Sequence, residues 1–395
     1  MVRGKRLPER RLEQDRGLGV TSANWLEAPY NRLGFRRVGE LVRTATISRG
    51  EEPPFPLRRA DRDLGGFRFE HGGRSLDLET MLADTYTDGF LVIHHGAVLT
   101  ERYFDGMAPA DTHLLMSVSK SFNATLCGVL AGQGVVRSSD LVTEHVPKLR
   151  GTAWEGCTLQ HLLDMRVGAR WDYEIDEYTI LDVSDYRAHS RTDIPADTAT
   201  WIRKVDAVRE HGGSFAYNSL ASDVLGLVLE HAGERPYAEL FSASVWSLLG
   251  AEHDAEIMLD HSGFAIVEGG ICATLRDLAR FGLMWLQDGQ LGERQIVPAA
   301  WTERLLVRDQ SLIDAYGDQD GLGGPPGDAF YHDNWWIWDA KRGIYQAVGM
   351  NGQSVFVHRP SRTVIAKLST FPEALDLALF DLQDAGMAAL CESLV

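Results

Sequence analysis

Strand-forming patterns gather at the two ends of this chain and are nearly missing from its middle. "GFLVIHHGAVLTERYF" (89–104) reads as two β-rich runs joined by a tight turn at His95-Gly96. Four more runs come late, at 334–340, 343–350, 353–359 and 363–370, the last two linked by the turn sequence RPSR (359–362). From about 136 to 250 the spacing is helical, clearest at 158–165 and 218–233, where Gly233 suits a C-cap. Further helical spacing is read at 75–88, 116–134, 270–290 and 373–395, and the glycine-rich segment 308–330 reads as loop. This order predicts an α/β domain built from 21–135 and 251–395, with a mostly helical domain, 136–250, inserted. A pocket is expected in the cleft between them. Residues 1–20 are expected to be disordered.

Length and charge narrow the classes of function. The chain has 395 residues, enough for a large core, and a formal net charge of −17. Such a balance argues against phosphate-backbone binding, so no nucleic-acid partner is expected, and it gives no attraction to an anionic membrane. No apolar run approaches the ~18–20 residues of a span, and no apolar segment of a secretory leader follows the charged start. A cytoplasmic protein is expected. Cys127, Cys157, Cys272 and Cys391 show no CxxC spacing and read as reduced core residues.

The chemistry centres on "LLMSVSKSFNATLCGVL" (114–130), an apolar helix that carries Ser117 and Lys120 at its head. Only six of the 39 basic residues are lysine, so a lysine here is a specific choice. Lysine is seldom fully buried unless paired or working, and unlike arginine it can give up its proton when desolvated. Spaced i, i+3, Ser117 and Lys120 share one face of a helix. The Ser117 N–H, in the first turn, is free to donate to an oxyanion at the positive helix end. The bland alternative is a solvated serine and lysine on a helix surface; the apolar surroundings and the strand pair before it argue against that.

Two further elements could complete a site. "FAYNSLASDVLG" (215–226) puts Tyr217 at the mouth of a helix, where a nearby lysine cation would lower its phenol pKa and make it a base. "AVGMNGQSVF" (347–356) is a strand whose glycines let a ligand approach the backbone and take a second oxyanion N–H. Alone, Tyr217 reads more readily as an ordinary loop tyrosine, and the strand reads equally as a bulged strand with no ligand.

Together, Ser117-x-x-Lys120, Tyr217-x-Ser219 and the late glycine-bearing strand resemble the serine β-lactamase and penicillin-binding-protein superfamily, whose S-x-x-K signature matches here. The resemblance runs from about residue 21 to the end. It is closest to the class C-like branch with its family VIII carboxylesterases, and within that to the nylon-oligomer (6-aminohexanoate-dimer) hydrolases. It implies a β-lactamase-like fold, an antiparallel sheet flanked by helices, and a cofactor-free, metal-free serine hydrolase acting on small linear amides or esters, with a homodimer possible in the family. It implies Ser117 as nucleophile, Lys120 and Tyr217 as proton-handling groups, and the N–H groups of Ser117 and Met350 as oxyanion hole, with Gly352 or Gln353 as other holders of that place. Tyr173, Ser219, Glu268, Asn351 and Gly352 are implied to contact substrate. Two departures stand out. The late strand reads Met350-Asn351-Gly352-Gln353 in place of K-T-G, which weakens a carboxylate-binding, β-lactam or peptidase role. Leu375 stands where an aspartate favours the amine of the nylon dimer. The competing readings are an esterase, a DD-peptidase or weak β-lactamase, and a non-catalytic binding module.

Other signals are set aside. The polar run His253, Asp254, Glu256, Asp260 and His261 fits no zinc spacing and reads as solvated loop. Asp314, Asp318 and Asp320 lack the closing glutamate of a calcium loop. Trp335, Trp336 and Trp338 fit a pocket wall and core packing equally.

Overall fold

The computed structural model describes residues 19–187, 191–317 and 329–395. The expectations for 1–18, and for Asp318 and Asp320, lie outside the described residues.

The two sets of strands meet in one eight-stranded sheet. Its strands are β1 (Arg58–Arg59), β2 (Thr87–His94), β3 (Ala97–Tyr103), β4 (Phe330–His332), β5 (Trp335–Asp339), β6 (Ile344–Gly349), β7 (Gln353–His358) and β8 (Thr363–Ser369). Their order across the sheet is β4-β5-β6-β7-β8-β2-β3-β1, antiparallel throughout except for the β1–β3 edge pair. The chain ends are joined where β8 pairs with β2, Ile365 opposite Val92. The His95-Gly96 turn holds, with both residues at positive φ, as a two-residue hairpin with right-handed strand twist requires.

The central strands are buried on both faces, so they read as apolar runs rather than as alternation. Period two decides which core each side chain joins. Leu91, Ile93, Val355 and Val364 join the main core, together with Leu278 and Phe281 of the helix Leu275–Leu286. Phe90, Val92, Phe356 and Ile365 face the second core, with Leu382 and Leu390 of the C-terminal helix Leu377–Glu392. Burying each of these side chains contributes roughly 1.5–3 kcal/mol.

The helix α1 (Val118–Gly132) runs through the main core, and every residue from Val118 to Leu130 is buried. In the middle segment α2 (Tyr173–Val183) packs on α3 (Ser219–Gly233), and α3 in turn packs against α1. Among the described residues, 136–250 contribute only isolated bridges to β-structure. The main core is continuous from α1 and the sheet into this helical segment.

Four local expectations are corrected. Ile271–Ala273 is a strand, and the helix begins after Thr274, whose hydroxyl accepts from Asp277 N; "GICA" reads as helix only because a short apolar run has no period of its own. Residues Gln310–Gly317, expected as loop, are helical, with Leu312, Ala315 and Tyr316 buried. The left-handed cap after α3 is Glu234, not Gly233, which is the last helical residue. The 253–261 run is not solvated loop. Ala255–Met258 pairs with Thr44–Ile47, and Asp260 is fully buried, accepting from the backbone N–H groups of Thr198, Ser262 and Phe264. All four cysteines are buried and free. No helix among the described residues is long and apolar enough to cross a membrane.

Gly352 has φ +88°, and a Cβ there would lie 2.3 Å from Phe371 Cε1. Gly352→Ala is therefore expected to destabilise the protein by about 2–4 kcal/mol, read as a fall in Tm.

Candidate active site

Met116 precedes the head of α1 in the left-handed region, φ +48°, a strained conformation for a methionine. This bend aims Ser117 at a cavity of about 740 Å³ instead of continuing the chain straight into the helix. Ser117 is the N-cap residue, so its N–H has no intrahelical partner. Beside it, the last residue of β6 comes so close that a Cβ on Gly349 would lie 2.5 Å from Leu115 O. A glycine is needed for this approach, which brings the neighbouring Met350 to the cavity wall with Ser117.

Lys120 reaches Ser117 from behind the cavity. It is essentially fully buried, and its Nζ donates to Ser117 Oγ at 2.8 Å and to Glu268 O at 2.7 Å. The Glu268 carboxylate lies 3.6 Å away and also accepts from Tyr186 OH at 3.0 Å. Asp223 holds this turn in place, its Oδ1 accepting from Val267 N and Glu268 N. Burial, followed by the charge of Glu268, raises the Asp223 carboxyl well above the usual range.

Tyr217 stands on the other side of Ser117, before α3, with Lys120 Nζ 5.0 Å from its ring centroid. Its ring stacks on Trp336 at 5.7 Å and meets Tyr173 edge-on at 6.1 Å. The expectation of a lowered phenol pKa is overturned. Burial, then the nearby Glu177, raises it well above 10, and the hydrogen bond with Ser117 only partly offsets this. In the resting site Tyr217 is thus a proton donor, not a phenolate.

Of the other residues singled out from sequence, Tyr173 lines the cavity, and its phenol too is raised by burial. Ser219, Glu268, Asn351 and Gly352 do not line it. Ser219 Oγ donates to Glu177 Oε1 at 2.5 Å, and Asn351 Nδ2 donates to Phe371 O at 2.8 Å, fixing the turn after β6. The tryptophans divide by strand parity: Trp336 lines the cavity, whereas Trp335 packs on Trp285 at 4.9 Å in the core. Trp338, of Trp336's parity, also reaches the cavity.

Sequence reasoning missed Glu177. It lies one helical turn after Tyr173 on α2, lines the cavity, and is buried with its Oε2 lacking a hydrogen-bond partner among the described residues. The signal was its i, i+4 spacing from Tyr173 within "YEIDEY". Burial raises its carboxyl to about 7, against the opposing charge of Lys120 and the Ser219 hydrogen bond. The folded state therefore holds this proton more tightly than the unfolded chain does. The stability this gives is present below the unfolded carboxylate pKa and is lost as pH rises through about 7. Glu177→Gln should accordingly raise Tm at pH 8, equivalent to roughly 2 kcal/mol, and change it little at pH 4.

Among the described residues, two groups of possible metal ligands lie away from the cavity, Cys157–His161–His211 and Asp164–His332–Asp333. In the first, each histidine Nδ1 accepts from a backbone N–H, of Thr158 and of Gly168, which leaves the proton on Nε2 and no lone pair there for a metal. In the second, Arg304 is paired with Asp333, and His332 Nδ1 contacts Asp164 at 2.7 Å.

An antiparallel sheet flanked by helices, with a serine at a helix head and a buried lysine one turn on, defines a serine hydrolase of the S-x-x-K class. The chain belongs to the Beta-lactamase family, whose model matches residues 79–384. It is 35% identical over 358 residues to the 6-aminohexanoate-dimer hydrolase of Paenarthrobacter ureafaciens, covering 89% of this chain and 88% of the relative. Among solved structures, a Bacillus anthracis protein proposed to be a 6-aminohexanoate-dimer hydrolase superposes with a TM-score of 0.87 at 23% identity, over 95% of this chain and 97% of that one. The octameric penicillin-binding protein homologue of Pyrococcus abyssi gives 0.62 at 19% identity, over 80% and 76%. These two likenesses establish the fold.

Proposed function

We propose that the protein hydrolyses small linear amides or esters through an acyl-enzyme on Ser117, with 6-aminohexanoate oligomers among its substrates. The observation that carries this is the 2.8 Å contact between Lys120 Nζ and Ser117 Oγ at the wall of an open cavity. Lys120, once it has given up a proton, accepts that of Ser117 across the same contact as Oγ bonds to the substrate carbonyl carbon. The N–H groups of Ser117 and Met350 hold the resulting oxyanion. The phenol of Tyr217 protonates the leaving nitrogen or oxygen as its bond to carbon breaks, and is reprotonated from Lys120. Water then adds to the acyl carbon, the carbon–Oγ bond breaks to release the carboxylic acid, and a water proton returns to Ser117 Oγ. In this reading Tyr173 contacts substrate directly. Ser219, Glu268, Asn351 and Gly352 act through the residues they hold.

The division into an α/β part and an inserted helical part, with the site between them, belongs to the same proposal. Four buried free cysteines support a reducing, cytoplasmic setting. A homodimer is inferred from the family resemblance alone.

The test is intact-protein mass after reaction with a fluorophosphonate, followed by turnover of p-nitrophenyl esters, linear amides and nitrocefin. A single adduct mapping to Ser117, with esters and amides turned over faster than nitrocefin, is the expected result. No adduct would hand the lead to a binding module. Faster nitrocefin turnover would favour the β-lactamase reading.

A further inference from the structure

At the end of the sheet opposite Gly349, two turns and a helix end enclose a separate cavity of about 330 Å³. The turn from β2 to β3 gives it His95 and Gly96, the turn from β7 to β8 gives it Arg359 and Arg362, and β1 gives it Arg58. Residues 286–288, where the helix Leu275–Leu286 ends, close it. None of its residues lines the Ser117 cavity. Its size lies at the lower end of ligand sites, about 300–1,000 Å³.

The charge here runs against that of the chain, which has 56 acidic residues to 39 basic ones. Arg59, next to Arg58 on β1, pairs with Asp61 and Glu101. Arg58 faces the opposite side, as alternate residues of a strand do, and its Nη2 lies 3.7 Å from where a Cβ on Gly96 would stand. The guanidinium groups of Arg58 and Arg362 have no hydrogen-bond or ion-pair partner among the described residues. Arg362 sits at φ +51°, where glycine would be unstrained, so the turn carries this arginine at a conformational cost. Arg359 is the anchored member. A Cβ on Gly343 would lie 2.5 Å from its Cδ, and its Nη2 donates to Asp288 Oδ1 at 2.6 Å. Three guanidinium cations against the one carboxylate of Asp288 leave two positive charges in the lining. The carbonyls of Leu283 and Met284 at the helix end already accept from the backbone, Met284 O from Gly289 N at 2.9 Å. His94, beside the turn, feels the same field. Burial, then the neighbouring His95, hold its imidazole below the ordinary value, with Arg62 acting in the same direction and a hydrogen bond to the Ser361 backbone against it.

We infer that this cavity binds a phosphate-type dianion, as the free ion or as the phosphoryl group of a small monoester, between Arg58, Arg359 and Arg362. A phosphoryl group carries about −1.5 to −2 charge at pH 7, which matches the charge left over in the lining. Its oxygens accept paired N–H bonds from guanidinium forks. Arg58 and Arg362 supply the unengaged forks, and Arg359, fixed by Asp288, gives the third side. The inference is independent of the hydrolase reading, since it needs neither Ser117 nor an acyl-enzyme.

The test is calorimetry on the full chain with inorganic phosphate, phenyl phosphate and phenol, with ionic strength matched by sodium chloride. Wild type should bind one phosphate per chain. Arg58→Gln/Arg362→Gln should bind it at least about 10-fold more weakly, with Tm in phosphate-free buffer unchanged because neither side chain has a partner to lose. Arg74→Gln/Arg150→Gln, which removes the same charge from exposed positions elsewhere, should bind as wild type does. Tighter binding of phenyl phosphate than of phosphate would identify a monoester as the occupant, and equal binding the free ion. Four results would overturn the inference: no phosphate binding by wild type, unchanged affinity in the folded cavity variant, an equal loss in the control variant, or phenol binding as tightly as phenyl phosphate.

Discussion

Ser117→Ala will form no fluorophosphonate adduct and will turn over p-nitrophenyl esters at least about 10³-fold more slowly than wild type. The size of the effect follows from the geometry. Ser117 is the cavity-lining hydroxyl that Lys120 contacts, and its position depends on the Met116 bend and the Gly349 approach rather than on its own side chain. The substitution removes one oxygen from a helix N-cap that makes no side-chain capping bond, so Tm should change little. A variant that keeps its adduct would move the nucleophile elsewhere. One that loses Tm along with activity would make Ser117 a structural residue.

Lys120→Ala should also lower turnover by at least about 10³-fold, and here stability must be separated from chemistry. Lys120 is the buried cation nearest the Glu268 carboxylate, and stripping one partner from a buried pair costs several kcal/mol. Tm should therefore fall. In Lys120→Ala/Glu268→Gln the stranded charge is gone, so Tm should recover while ester turnover and the rate of fluorophosphonate labelling stay low. Recovery of both together would make the lysine a structural counter-ion. Near-normal turnover in the single variant would remove it from the mechanism.

How much of this could be read from sequence depends on where each signal is encoded. Ser117 and Lys120 are three residues apart, and a helix places them on one face whatever the rest of the chain does. The hairpin at His95-Gly96 and the late strands are likewise written in local chemistry. Glu177 was not legible in that way. "YEIDEY" holds three carboxylates, and only tertiary packing decides that Glu177 meets Ser219 and Tyr217 while Glu174 faces solvent. The Tyr217 phenol failed for the same reason: a nearby cation could be foreseen from spacing, but the stronger effects of burial and a buried carboxylate could not. Ile271–Ala273 was hidden by the helix that follows it directly, since an apolar run of three residues carries no period.

The joining of β2 to β8 also sets a timetable. A nascent chain that has emerged only as far as α3 already carries Ser117, Lys120 and Tyr217, but β2 has no neighbour on one side and the strand ending at Gly349 does not yet exist. Contacts between residues nearly 300 apart close late, because the loop entropy must be overcome before the pairing rewards it. The cavity wall shared by Ser117 and Met350 is therefore completed only after β6 to β8 have been made. During synthesis the ribosome-bound chain holds Ser117 without the rest of the cavity wall, and hydrolytic capacity should switch on only once the late strands have folded onto the early ones.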